Sequence, residues 1–290
     1  MNAANPHKSL YPSFHEGHEH LDFYKLYQER IWRLHRLMDL SGLMDIKEWQ
    51  PVVLVDIYVP LRFGNKDLPF AKNEKDIDEY EETYQLDQLL DRHPHLILSG
   101  YPGSGKTTLT SLLASALASP KPTDIASTLG KKLSIPFILR EHTHAIKSLD
   151  SLFESFIEKH ERILKMNIPR SMLEYYLKNG WGCLIFDGFD EMGSLKKRVE
   201  LRNLIMNEFT RYHPDNFIVV TGRPTGFEEC SFETQYTAGI PDKSPFKTFF
   251  IQPFNQKEVN LFSHKWFKLR DPDPQKKQEK ALRFIKAVED

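Results

Sequence analysis

The chain is 290 residues long and carries 39 basic against 40 acidic side chains, so its formal net charge of −1 gives no global field for nucleic acid or an anionic membrane. Its 40% hydrophobic and 27% charged residues are ordinary for a soluble globular protein, and no apolar run approaches the ~18 residues of a membrane span. Two cysteines, Cys183 in an apolar strand-like run and Cys230 in a polar loop-like stretch, argue against a disulfide framework. With no signal-peptide core at the N-terminus, the expected location is the cytoplasm.

Residues 1–20 are polar, with Pro6, Pro12, His7, His15, His18 and His20, and read as a flexible tail. The cluster from His15 to His20 lacks the H-E-x-x-H spacing of a helical metal site and reads as solvated. Residues 21–44 predict an amphipathic helix, because Leu21, Tyr24, Leu26, Tyr27, Ile31, Leu34, Leu37 and Met38 recur near helical spacing. Arg30, Arg33 and Arg36 fall on its solvated face, and Ser41-Gly42 supplies a stop. The β-branched run Val52 to Pro60 predicts a strand ended by proline. Residues 64–85 predict a loop, and Leu86 to Leu90 a short helix. Residues 21–85 thus form an N-terminal extension of helix plus strand.

From His95 onward short apolar strands alternate with helices. Strands are predicted at His95–Gly100, Ile135–Arg140, Gly182–Asp187, Asn216–Thr221 and Lys247–Ile251. Helices are predicted at Thr107–Ala118, Leu149–Lys159, Ser171–Lys178, Leu195–Tyr212 and Asn255–Phe267. Asn255 is the cap of the last, with Glu258 three residues on. Such alternation implies an α/β fold with a parallel sheet covered on both faces.

Three of the strand ends carry chemistry. Gly100-Tyr101-Pro102-Gly103-Ser104-Gly105-Lys106-Thr107 fits G-x-x-x-x-G-K-[ST] at every fixed position, between a buried strand and an Ala/Leu-rich helix. Its glycines let backbone N–H groups curl around phosphate oxygens, and the helix N-terminus adds partial positive charge. Lys106 is expected on the β- and γ-phosphates and Thr107 on Mg²⁺. The predicted nucleotide contacts are Gly100, Pro102, Gly103, Ser104, Gly105, Lys106, Thr107 and Thr108. In Leu184-Ile185-Phe186-Asp187-Gly188-Phe189-Asp190-Glu191 an apolar strand delivers Asp187 to the carboxyl edge, where ligands bind in open α/β sheets. Asp187 is a candidate Mg²⁺ holder, and Asp190 and Glu191 are candidates to orient or deprotonate an attacking water. In Val219-Val220-Thr221-Gly222-Arg223-Pro224 the strand end delivers Arg223, which suits a γ-phosphate contact that senses hydrolysis.

The set GYPGSGKTT, LIFDGFDEM and VVTGRP, followed by FFIQPFNQKEVNLFSHKWF, resembles the NACHT family of STAND-class phosphate-loop NTPases over about Leu86 to Phe267. More weakly, the helix near residues 21–44 and VDIYVPLRF resemble the segment ahead of the core in bacterial members. The resemblance implies a five-stranded parallel sheet with an extra strand between the phosphate-loop and acidic-motif strands. It implies ATP/ADP and Mg²⁺ as ligands, Thr107 and Asp187 at the metal, Asp190 and Glu191 as catalytic acids, and Arg223 as sensor. Gly222 departs from the family, where serine more often precedes the arginine. On this resemblance residues 86–254 are the NTPase core and 255–290 begin a following helical domain, cut within the periodic stretch Lys276 to Asp290. Phe284, Ile285 and Val288 would there form half a helix face with little to pack on.

The function so implied is a nucleotide-dependent switch in innate immune or anti-phage defence. ADP holds a closed monomer, and ATP exchange on an unknown trigger, such as a phage or pathogen component, permits homo-oligomerisation with slow hydrolysis. The alternative is a steady-turnover remodelling motor, which needs an arginine from a neighbouring subunit, with Arg198 and Arg202 as candidates. No second-substrate pocket or lid signature favours a phosphotransferase, and the intact acids argue against a module that only binds nucleotide. No nucleic-acid signature is evident, nor a guanine-reading N-K-x-D.

Overall fold

The computed structural model describes residues 20–38, 52–66, 82–121, 123–130, 132–232, 234–237, 240–243, 245–270 and 273–289. The expectations for the tail up to residue 19, with His7, His15 and His18, lie outside these residues. So do those for the helix end with Ser41-Gly42 and for most of the loop before Leu86.

The chain opens with α1 (Leu21–His35). Tyr24, Tyr27 and Ile31 are buried at helical spacing, and the Tyr27 hydroxyl donates to the Ser134 carbonyl at 2.7 Å, fixing the helix to the sheet. His20, read as part of a solvated tail, is buried with its ring against Tyr175. The helix ends earlier than its periodicity predicts. Leu37 instead bridges Val53, with the Met38 and Leu54 amides donating to the Val52 and Arg36 carbonyls.

The strand predicted over Val52 to Pro60 is corrected. Only Val53 makes a bridge, and Leu54–Ile57 is a single helical turn, α2. Leu54 and Ile57, three apart, are buried while Val55 is exposed. A β-branched run fits a pleated, half-buried surface, but no sheet edge is offered to it here. The extended segment after α2 leads into β1 (Phe63–Gly64).

The core then alternates. α3 (Leu86–Arg92) leads to β2 (His95–Ser99), α4 (Lys106–Leu117), α5 (Asp124–Leu129), β3 (Leu133–Ile138), α6 (Leu149–Leu164), α7 (Arg170–Lys178) and β4 (Gly182–Asp187). α8 (Leu195–Leu204) passes through a π-helical turn, Ile205–Phe209, into α9 (Thr210–Tyr212), then β5 (Phe217–Gly222) and α10 (Pro224–Glu229). A two-stranded hairpin, β6 (Thr234–Thr237) and β7 (Ile240–Lys243), precedes β8 (Lys247–Ile251), α11 (Gln256–Arg270) and α12 (Pro274–Glu289). Side chains cap several helix starts. Thr123, Ser148 and Ser194 each accept an amide three residues on, and Asn255 and Glu258 close the predicted capping box at 3.0 and 2.8 Å.

The sheet runs β1-β8-β2-β5-β4-β3, parallel except for β1, which pairs antiparallel to β8. The five predicted parallel strands therefore gain a short edge strand, and β5 is the strand between the phosphate-loop strand β2 and the acidic-motif strand β4. Period-two alternation feeds two cores. Ile97, Leu184, Phe186, Ile218 and Val220 join the α1, α6, α7 and α8 side, while Leu96, Leu98, Cys183, Ile185, Phe217 and Val219 join the α3 and α4 side. Burial pushes the Cys183 thiol up to about 12. Cys230, read as loop-like, is buried in the first core, which also contains Phe227 and Phe232. The final helix does find a surface. α12 packs on α11, burying Ala281 and Ile285, with the Phe284 ring edge-on to Phe267 at 6.3 Å.

Four buried histidines among the described residues carry a pH signature. Burial pushes His35, His95 and His142 down to about 4 and His160 to about 3, with Lys159 and neighbouring imidazoles adding repulsion at His35, His142 and His160. Their native forms stay neutral while the unfolded chain takes up protons below about 6.5, so stability is lost as pH falls. The unfolding free energy from urea titration should therefore fall between pH 6.5 and 5, above the carboxylate range, by about 1.4 kcal/mol per pH unit for each fully titrating histidine. His160→Gln should flatten that slope by about one proton. An unfolding free energy flat across this window would contradict the account.

Candidate functional site

The site lies at the carboxyl edge of β2, β5 and β4. After β2 the Gly100 amide continues the ladder to the Gly222 carbonyl at 3.1 Å, and the chain then turns, with the Ser104 amide donating to the Tyr101 carbonyl at 3.1 Å. Gly103 and Gly105 have φ of +79° and +88°, which side-chain-bearing residues adopt only with strain. Gly105 opens α4, and the first intrahelical donor is the Leu109 amide. The amides of Lys106, Thr107 and Thr108 thus precede any intrahelical acceptor, as at every helix start. Pro102 has no N–H and sits exposed on the turn. The Ser104 hydroxyl is buried inside the loop with no partner among the described residues.

Lys106 folds back, its Nζ donating to the Gly100 and Tyr101 carbonyls at 2.6 and 2.8 Å. Burial lowers its pKa, and Arg223 adds to this while the charges of Asp190, Asp187 and Glu191 oppose it. All four named groups lie close enough to be felt by the lysine, so the phosphate loop and both other motifs share one site.

Asp187, the last residue of β4, is 6% exposed. Its Oδ2 accepts from the Thr107 hydroxyl at 2.9 Å and its Oδ1 from the Thr221 hydroxyl at 2.6 Å. The turn Phe189–Met192 follows, with Phe189 and Met192 buried, so that Asp190 and Glu191 stand at the edge. Gly188, at φ +85°, makes room: a Cβ there would meet the Glu191 carboxylate at 3.2 Å. Asp190 is fully engaged by Arg223, whose amide reaches Oδ1 at 2.9 Å and whose Nε reaches Oδ2 at 3.0 Å. Glu191 meets Arg140 through Oε2 at 3.3 Å.

A family profile described as NACHT domain matches residues 95–270, more than half of the chain. The chain belongs to the NACHT family. It is therefore a nucleotide-binding phosphate-loop protein of the STAND nucleoside-triphosphatase type. No curated protein matches it. Among the described residues no helix is long and apolar enough to cross a membrane, and no cluster of three or more His, Cys, Asp or Glu forms a metal site.

The NACHT motifs quoted from the sequence converge, while several neighbours were missed. Thr221 lies within the arginine motif yet had no role assigned, and it anchors Asp187. Arg140 was read only as a strand end. Leu61 lies over the phosphate loop, its methyls 3.7 and 4.0 Å from where a Gly105 Cβ would sit. Arg198 and Arg202 are committed within the chain, Arg198 to Glu229 and Arg202 to the Ser231 carbonyl at 3.2 Å and to Asn203. The departure at Gly222 has a steric cause: a Cβ there would lie 3.0 Å from the Phe227 ring and 3.2 Å from Phe189 Cβ. These two rings stack at 5.2 Å behind the acidic turn. Gly222→Ser should therefore overpack the site and lower stability by about 1–3 kcal/mol in chemical denaturation. A variant as stable as the parent would contradict this reading.

Proposed function

We propose that this NACHT protein is an ATP/ADP-binding signalling switch that hydrolyses ATP slowly. The observation that best supports the reading is the convergence of Lys106, Thr107, Asp187, Asp190, Glu191 and Arg223 on one sheet edge beside the phosphate loop. In this reading the backbone of Gly100 to Gly105, Ser104 included, and the first amides of α4, through Thr108, cradle the phosphates, with Pro102 shaping the turn. Lys106 exchanges two backbone carbonyls for phosphate oxygens. Two hard oxygen donors, Thr107 and Asp187, already 2.9 Å apart, suit Mg²⁺. When bound, that ion neutralises charge on the phosphates.

The two acids divide their work. Both oxygens of Asp190 hold Arg223, whereas Glu191 keeps Oε1 without a partner among the described residues. Glu191 is therefore the general base that takes the proton from the attacking water, and Asp190 holds the sensor arginine. Arg223 exchanges Asp190 for the γ-phosphate when ATP is present and returns when it is gone. ATP and ADP thus make different contacts with the protein, which any population shift between closed and open states requires.

Carried over from the family, ADP would hold a closed monomer, and exchange on a trigger such as a phage or pathogen component would permit homo-oligomerisation in innate or anti-phage defence. Action in the cytoplasm accords with two free, buried cysteines. The motor reading loses support, because both candidate trans arginines are tied within the chain.

Turnover under saturating Mg-ATP should lie below about one per minute, against the ~10 per second of an average enzyme. Lys106→Ala should abolish nucleotide binding. Glu191→Gln should bind ATP and fail to hydrolyse it, while Asp190→Asn should change the response to ATP against ADP. Turnover of several per second, or parental turnover in Glu191→Gln, would overturn the reading.

A further inference from the structure

β3 pairs with β4 so that Ile138 faces Asp187. Beyond that pair both strands end in a short 3-10 turn, Leu139–Glu141 on one and Phe189–Met192 on the other. Leu139 and Phe189 are each fully buried, which anchors the two turns in the core and leaves Arg140 and Glu191 exposed at the same edge. The Glu191 carboxylate packs over Gly188 and donates nothing. Its Oε2 accepts from Arg140 at 3.3 Å, and its Oε1 has no partner among the described residues. The adjacent Glu141 is engaged by Lys159.

We propose that Arg140 is a positioning residue for hydrolysis, its guanidinium holding one oxygen of Glu191 so that the other faces the attacking water. This rests on the reading of Glu191 as the general base. Arg140 is the only charged group among the described residues that bonds this carboxylate. An exposed pair of this length adds little to stability, so its contribution is to carboxylate orientation rather than to the fold. A carboxylate held at one oxygen presents the other in a fixed direction, as partners behind a catalytic group do elsewhere.

The test compares Arg140→Ala and Arg140→Lys with the parent chain in single-turnover ATP hydrolysis, with ATP affinity and melting temperature measured on the same samples. Arg140→Ala should slow hydrolysis about 10–100-fold, with affinity unchanged, and Arg140→Lys should recover part of the loss. In a Glu191→Asp background, where the shortened side chain has already left the guanidinium, Arg140→Ala should change the rate by less than about twofold. An unchanged or faster rate in Arg140→Ala overturns the proposal, as does a loss that tracks melting temperature or affinity. Hydrolysis at the parental rate in Glu191→Gln overturns the general-base reading and the proposal with it. A slow Glu191→Gln beside a parental Arg140→Ala overturns the proposal alone.

Discussion

The carboxylate of Asp187 is where three parts of the molecule are tied together. It ends β4, it accepts a hydroxyl from the first turn of α4 through Thr107, and it accepts another from β5 through Thr221. Burying a carboxylate is costly unless its oxygens are bonded. Two hydroxyls meet that requirement without neutralising the charge, so the site keeps a negative group at the edge of a parallel sheet. A guanidinium or ammonium bonded there would have satisfied the same burial and removed the attraction for a cation. The strand order follows the same logic. β5 lies between β2 and β4, so Thr221 reaches Asp187 from the neighbouring strand while the phosphate loop arrives from the far side.

Around that anchor the other charged groups each have a resting partner. Lys106 rests on two loop carbonyls, Arg223 on Asp190, and Glu191 on Arg140. In the proposed reading a phosphate entering the loop meets the open first amides of α4 and also displaces Lys106 and Arg223 from their resting partners, so its binding energy includes the difference between two sets of bonds. Exchange of this kind makes affinity depend on conformation, because any movement that strains one resting pair favours the nucleotide-bound set. The N-terminal extension packs beside the same loop. Arg62 grips Glu258 of α11 through two bonds and the Pro253 carbonyl through a third, one residue after Leu61 meets the phosphate loop.

The parallel strands were legible in the sequence because both of their faces are buried. Gly182–Asp187 is a strand over the predicted residues and is buried throughout, and Lys247–Ile251 likewise keeps its predicted bounds, with its exposed end at Lys247. The three motifs were legible because a strand followed by a turn fixes which edge receives each side chain. Val52 to Pro60 was misread because composition reports burial and not the presence of a partner edge: Val52, Leu54, Ile57, Val59 and Leu61 are all buried without forming a strand. The short α5 and α10 went unseen, as each is a six-residue helix whose start is set by one cap or by Pro224. Thr221, Arg140 and Gly226 could not be assigned from spacing at all. Their contacts cross between segments roughly 35 to 50 residues apart or pass between turns, as where a Gly226 Cβ would sit 2.9 Å from that of Asp190. Such contacts exist only once the strand order is known.

The most direct test is to denature freshly purified protein and identify what it releases. A switch whose resting charges are exchanged for phosphate contacts should carry close to one ADP per chain. A chain that is empty as isolated and turns over added ATP steadily would contradict the switch.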